Sequence, residues 1–575
     1  MSFNIETINS TLADQVPPAL FFAALSLIGV YAFYRWILLP KPLPGIPYDR
    51  EAAKKVMGDI ADLRTDPDGL AQWCSKKLGK LETPICQALM GPTQKPIVIV
   101  ADVGDARDQM LGRSEFDRSV YIIDRVPLLG EFHLNLRTTE DWKLARQWSK
   151  DLLTPQYMNS VAHPAIELAT NRLIELWEGR SRLAKGKAFD MDRDVKGLNI
   201  DIIMAFYFGD DMTDSILARE AAHVKQLDGS ELAAGEHGSV VFPPAKLHDF
   251  CEGLIDISQK IANLYATPWP PALAGWWTRN VSPHFRKYFA EKEVFVRKLL
   301  AKAVQRAVKS EDPKIKSGID HMVWREDKAA AKAGRAPKYG KQVFADEAYG
   351  VLVAGQHTTS AAIVWIFKYL ADYPAIQAKL REEVQTVLSE ATRESRVPTA
   401  DEVAGSLKQL PYLRAVIEEM LRLRQAMLVP RDATCDTELL GCRIPKGTRL
   451  LLVCQGPDPS TLKTVDGKPV HAPRQYPGNG SKDMAAFDPD RWLVRKENGD
   501  VEFDGTSYPQ LAFGGGVRGC WGRKLADLEM QIVTAMLVCK FDFLGVPEPL
   551  ASHDASYDIS YRPHKGYLNI RSRDL

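Results

Sequence analysis

Phe513-Gly514-Gly515-Gly516-Val517-Arg518-Gly519-Cys520-Trp521-Gly522 decides the reading of this chain, because it sets one cysteine on a glycine-built loop with an arginine two residues before it. A helix-forming run, Arg523 to Val538, follows at once. Peptide N–H groups at the start of that helix point toward the sulfur, and together with Arg518 they favour thiolate over thiol. A thiolate held in this way is an iron ligand. As axial donor to haem it pushes electron density onto the metal and promotes O–O cleavage, so the loop predicts haem and oxygen chemistry. A buried free cysteine acting as a small hydrophobe does not account for three consecutive glycines and an arginine beside it. Gly514, Gly516 and Gly519 also satisfy a dinucleotide fingerprint, with Asp542 as the ribose acid. That rival needs further strand–helix units, and only Phe543 to Leu575 remain to supply them.

The loop resembles the cytochrome P450 pattern Phe-x-x-Gly-x-Arg-x-Cys-x-Gly, matched at Phe513, Gly516, Arg518, Cys520 and Gly522. Other segments carry the same resemblance. Trp142 and Arg146 lie four apart on a helical run, hence on one face, where two donors can grip one anion. By itself the pair also reads as a half-buried helix face. In the resembled family a Trp-x-x-x-Arg pair binds a haem propionate, which implies that role for Trp142 and Arg146. The matching arginines at Arg431 and Arg518 are implied as further propionate partners.

Phe344 to Tyr373 predicts a long buried helix ended by Pro374. Inside it, Ala354-Gly355-Gln356-His357-Thr358-Thr359 combines a glycine with adjacent threonines, which predicts a local distortion and a groove for dioxygen and water. The family pattern is Ala/Gly-Gly-x-Asp/Glu-Thr, and this chain departs from it by placing His357 where the acid is usual, as sterol demethylases of the family also do. The resemblance implies proton delivery by Thr358 with His357. A histidine titrating near about 6.5 can relay protons; the plain alternative is a ring that only faces solvent or a carbonyl.

Leu413, Val416, Ile417, Met420 and Leu421 form an apolar helical stripe with Glu419 and Arg422 at its edge. Arg414, Glu418 and Arg422 taken alone read as a surface ladder. Phe487-Asp488-Pro489-Asp490-Arg491-Trp492 matches the family's Phe-x-Pro-x-Arg-Trp, and the resemblance implies a Glu419–Arg422–Arg491 network that fixes the fold around the cysteine loop without taking part in the chemistry.

With 575 residues and no internal repeat, one large catalytic domain with a short appendage is the simplest organisation. A net charge of +1, from 74 basic and 73 acidic side chains, excludes a global field that would recruit nucleic acid. None of the eight cysteines has CxxC spacing, and a core this size needs no disulfides, so a reducing compartment is expected. Ala19 to Leu39 is mostly apolar and as a helix spans about 31 Å, enough for a bilayer. Residues 1–18 hold no Lys or Arg, whereas Lys41, Arg50, Lys54 and Lys55 follow the span. The expectation is a lumenal tail at 1–18, a single-pass anchor at 19–39 in the endoplasmic reticulum membrane, a proline-rich hinge at 40–48, and a cytosolic haem-thiolate domain at 49–575.

The resemblance therefore implies a mainly α fold with small β-sheets, binding haem b through Cys520. It implies a monooxygenase that oxidises a lipophilic small molecule, such as a terpenoid, polyketide or sterol, as in secondary metabolism. Electrons would come from NADPH through a cytochrome reductase, for which Arg523 and Lys524 give a positive edge. A same-fold isomerase, dehydratase or peroxygenase, or a non-catalytic haem sensor or carrier, are the alternatives. Residues 120–136, 354–360 and 427–430 correspond to pocket-lining segments in relatives. Trp269, Trp276 and Trp277 read either as a membrane-dipping loop or as a core cluster. Glu326 to Gln342 reads as a solvated connection and Gln455 to Ala486 as a long surface loop.

Overall fold

The computed structural model describes residues 18–574 except 67–68, 93, 102–109, 120–126, 210–214, 267–270, 310–315, 426–427, 454–461, 464–466, 468–482, 509 and 558–559. Its axis is the helix Gln342–Asp372, 31 residues long. Apolar side chains occur nearly all round it, so it must be covered on every side, and here the rest of the domain covers it. From Phe344 to Ala371 every residue is buried except Ala354, Gly355 and Thr358. Pro374 ends it, having no N–H to donate, and opens the next helix, Pro374–Val387, as a first-turn residue. Helices Asp192–Phe208, Pro283–Lys309, Pro411–Leu423 and Arg523–Lys540 pack around this axis. Gly355 lets Asp192–Phe208 come close: a Cβ there would lie 3.1 Å from Ile203.

Beside the helices stands a five-stranded sheet in the order Ile85–Ala88, Ile97–Ala101, Arg449–Val453, Val429–Ala433, Phe116–Arg118. Arg449–Val453 runs parallel to Ile97–Ala101, and the other pairs are antiparallel. Strands from the first and last thirds of the chain share this sheet, so one domain holds both. Ile85, Val98, Val100, Leu450 and Leu452 form its core with Trp73, Cys74 and Leu78. The architecture is the expected one, mainly α with small sheets.

The apolar N-terminal run is a helix, Pro18–Phe33, that widens into a π-turn at Tyr34–Leu38, closed by the Leu39 N–H to Tyr34 O. Ala19–Leu38 has a mean hydropathy of 1.6 and none of it is buried. So large an exposed apolar surface calls for a cover. Among the described residues, the other helix long and apolar enough to cross a membrane is the buried axis Gln342–Asp372. Residues 1–17 of the expected tail lie outside the described residues.

After this helix, the proline segment is seated on the sheet's outer strand by Gln87. Gln87 Nε2 donates to the carbonyls of Leu43 (2.9 Å) and Ile46 (2.8 Å), and its Oε1 accepts the Leu43 N–H (2.7 Å). The Gln87 N–H donates to Pro47 O at 2.8 Å.

Two local expectations change. Glu326 to Lys332 is no solvated connection but the end of the helix Gly318–Lys332, where three consecutive alanines favour helix. Glu326 is fully buried, accepting from Trp148 Nε1 (2.8 Å) and from Arg335 (2.6 and 3.1 Å). Trp276 and Trp277 sit on a helix, Pro271–Asn280, and are 55% and 58% exposed, so they form no core cluster. Trp269 and most of the 455–486 loop lie outside the described residues.

Candidate active site

The cysteine loop depends on its glycines. Gly514 and Gly516 have φ of +61° and +63°, the left-handed region that other residues avoid. A Cβ on Gly516 would lie 2.1 Å from the Leu111 carbonyl oxygen, and one on Gly515 would lie 2.7 Å from Leu111 Cδ1. The loop closes on itself through Cys520 N–H to Phe513 O (2.8 Å) and Gly519 N–H to Gly516 O (3.0 Å). Helix Arg523–Lys540 then starts after Gly522 without a side-chain cap, leaving its first N–H groups open. Cys520 is open to solvent-sized space, yet enough chain surrounds it for burial to push its thiol pKa up. The Gly522 N–H, Arg146 and Arg523 pull the other way, while Asp527 adds to the rise.

Here the expectation for Arg518 is corrected. Arg146 and Arg523 are the cations that act most on the sulfur, whereas Arg518 lies over the Trp142 ring, 4.7 Å from its centroid, and donates Nη2 to Leu136 O at 2.8 Å. A planar guanidinium finds an aromatic face and a carbonyl better suited to it than a thiol. Trp142 accordingly offers this arginine its face.

Arg431, in the strand Val429–Ala433, and Arg118, in the strand Phe116–Arg118, are cross-strand partners. Burial brings Arg431 and Arg518 down to about 10. Repulsion from Arg431 and Arg146 depresses Arg518 further, and Asp117 is the carboxylate opposing this at both Arg431 and Arg518. Asp117 is itself held by the Thr138 N–H (3.0 Å) and Oγ1 (2.6 Å). Arg518 Nη1 is buried without an acceptor. Two largely buried guanidinium groups share the Asp117 carboxylate, and with Arg518 Nη1 lacking an acceptor they favour further negative charge. Arg118 and Asp117 escaped the sequence reading, since only the strand register brings them to the arginines.

Arg146 links these groups to the central helix, being acted on by Cys520 and by Glu347. Ala354, Gly355 and Thr358 stand at i, i+1 and i+4, so the open positions of that helix form one side. The expected distortion is absent. The segment is helical throughout, and Thr358 Oγ1 donates to Ala354 O at 3.0 Å, satisfying both groups locally. His357 is buried with Nδ1 3.0 Å from Ser560 Oγ, so it meets neither solvent nor a carbonyl there. Burial, then the charges of Arg562 and Lys196, hold its pKa well below the usual histidine range, against a raising contribution from Asp192.

Glu419 is the hub of a buried cluster. Arg422 Nε and Nη2 donate to its two oxygens at 2.8 Å, Arg491 Nε at 3.0 Å, Trp492 Nε1 at 2.9 Å and the Asp488 N–H at 3.1 Å. Its helix, Pro411–Leu423, is capped from outside: the Glu383 carboxylate accepts the N–H groups of Tyr412 (2.8 Å) and Leu413 (2.9 Å). The surface-ladder reading fails because Glu418 and Arg422 are both buried. Glu418 is raised to about 7 and Asp527 to about 6, each chiefly by burial.

The family profile described as Cytochrome P450 matches residues 55–456 and 483–569. "Cytochrome P450 monooxygenase xilC" of Penicillium crustosum is 55% identical over 99% of both chains, and the protein of that name in Penicillium rubens is equally similar. "Cytochrome P450 monooxygenase TRI13" of Fusarium sporotrichioides is 30% identical over 96% of this chain and 98% of its own. The crystal structure of a cytochrome P450, CYP102L1, superposes with a TM-score of 0.64, covering 93% of this chain and 100% of that one at 20% identity.

Proposed function

The chain belongs to the cytochrome P450 family of haem-thiolate oxidoreductases, and from that premise we propose that Cys520 is the axial ligand of a haem b and that the protein inserts one atom of dioxygen into a lipophilic small molecule. The observation that carries the assignment is the pair of buried arginines, Arg431 and Arg518, that share Asp117, with Arg518 Nη1 lacking an acceptor, together with the exposed Cys520 on its glycine loop. A flat dianion that also holds a metal fits that set. Arg146, Arg431 and Arg518, with Arg118, would hold the propionates, Trp142 would orient Arg518, and Phe513 would close the loop beneath. Haem, when bound, supplies dioxygen activation and the electron-rich thiolate bond.

The rest is the work of side chains. The open side at Ala354, Gly355 and Thr358 is where the substrate and water meet the central helix. Thr358 Oγ1 holds a proton at that side and can release its bond to Ala354 O to pass it on. His357 stands behind it, facing Ser560, and supports the helix position from there. Thr358→Ala should lower the fraction of NADPH recovered as oxygenated product by about tenfold and raise peroxide release correspondingly, since a positioned proton donor contributes about 10²–10⁴. Product-to-NADPH and peroxide-to-NADPH ratios measure this, and unchanged ratios would rule it out.

Ala19–Leu38 serves as the membrane anchor of an endoplasmic reticulum protein, with the body on the cytosolic side, as the positive residues after the span favour. Electrons come from an NADPH-dependent reductase that docks on the cysteine side, where Arg523 and Lys524 are exposed. Reversing both charges to glutamate should slow reduction by about tenfold at low salt and flatten its salt dependence. Stopped-flow reduction across an ionic-strength series reads both. The overall assignment is tested by turnover with labelled dioxygen: one labelled atom in the product supports it, and product formed without NADPH or dioxygen would favour the isomerase, dehydratase or peroxygenase reading.

A further inference from the structure

Gly350 lies one turn, and Glu347 about two turns, before Ala354 on the open side of the central helix. The segment Gly130–Leu136 is fastened along that stretch. Phe132 is seated on Gly350 so closely that a Cβ there would fall 2.2 Å from the ring. On one flank the Asp346 carboxylate accepts the Glu131 N–H at 3.1 Å. On the other, Glu347 accepts the His133 N–H at 3.0 Å and meets His133 Nδ1 at 2.6 Å. Gly130 makes the approach possible: its φ is +63°, and a Cβ would lie 2.2 Å from Asp346 Oδ2. Lys292 (3.3 Å) and Gln342 (2.9 Å) hold Asp346 in place. At the far end Leu136 O accepts from Arg518, so the segment reaches from the central helix to the cysteine loop.

Charge-assisted bonds on both flanks and a glycine notch between them are more than a passing contact needs. We propose that Asp346, Glu347 and Gly350 are positioning residues, a clasp that seats Phe132 and so sets how far the space over Ala354 and Thr358 extends toward the start of the central helix. The clasp selects lipophiles by length. A substrate that outgrows the space must lift Phe132 off Gly350, breaking the bonds to Glu131 and His133. What fills the space rests on the haem-monooxygenase reading; the clasp itself does not.

The test uses the full-length haem protein in detergent, with 1-methylimidazole and 1-dodecylimidazole as probes that bind iron through nitrogen and shift the Soret band. Glu347→Gln and Gly350→Ala should each raise the association and dissociation rates of the long probe by about tenfold while changing those of the short one less than about twofold. Amide hydrogen exchange of residues 130–136 should rise by about tenfold in the same variants. Phe132→Leu keeps the clasp and shortens the wall, so it should favour the long probe without altering exchange. Faster exchange with unchanged long-probe rates would overturn the proposal, as would protected amides in Gly350→Ala. If neither imidazole shifts the wild-type band, the haem reading falls with the length selection, and hydrogen exchange alone decides the clasp.

Discussion

Replacing Cys520 by alanine should reduce turnover by more than about a thousandfold, beyond the cost of losing one well-placed transition-state donor. The loop geometry is expected to survive, because its closing bonds run through the backbone of Phe513, Gly516, Gly519 and residue 520. The arginines at 146, 431 and 518 are untouched, so haem should still be taken up. Two measurements thus separate haem content from ligation: the pyridine assay should find haem, while the reduced carbon-monoxide spectrum should lack the far-red-shifted Soret band of a thiolate complex. A normal band in the alanine variant would show that another residue holds the iron.

The second large effect is structural. Glu419→Ala should destabilise the folded protein by about 3–5 kcal/mol, because it strands Arg422 and Arg491 as buried cations and leaves the Trp492 indole N–H unpaired. Against a total stability of roughly 5–15 kcal/mol, that is enough to leave little haem-loaded protein. Glu419→Gln retains one acceptor oxygen and should fall between. Thermal unfolding and haem incorporation report the loss, and an unshifted transition in the alanine variant would mean that the cluster is dispensable.

The cysteine loop was legible because its chemistry is local: glycines, cysteine and helix start lie within ten residues. Glu419 and Arg491 were legible only through two motifs read together, as a lone Glu-x-x-Arg on a helix looks like a surface ladder. What sequence could not show is what the chain brings together from afar. Arg118 joins Arg431 through strand register, and His357 meets Ser560 across 203 positions. The apparent helix-breaking signal at Gly355–Thr359 also misled, since the tertiary surroundings bury this helix on all other sides and keep it regular. Glu326 erred in the opposite direction: a charge-rich run suggests water, but Trp148 and Arg335 give that carboxylate enough partners to be buried.

The seat made by Gln87 bears on how the protein can be handled without a bilayer. Ile85–Ala88 is an outermost strand, and the proline segment laid against it takes up the outward-facing Gln87 N–H that would otherwise be free to pair with another chain. A truncation at residue 40 removes the greasy leader and keeps that shield, giving a dispersed preparation. One placed at residue 49 discards both, and the bare margin it leaves is where clumping would begin.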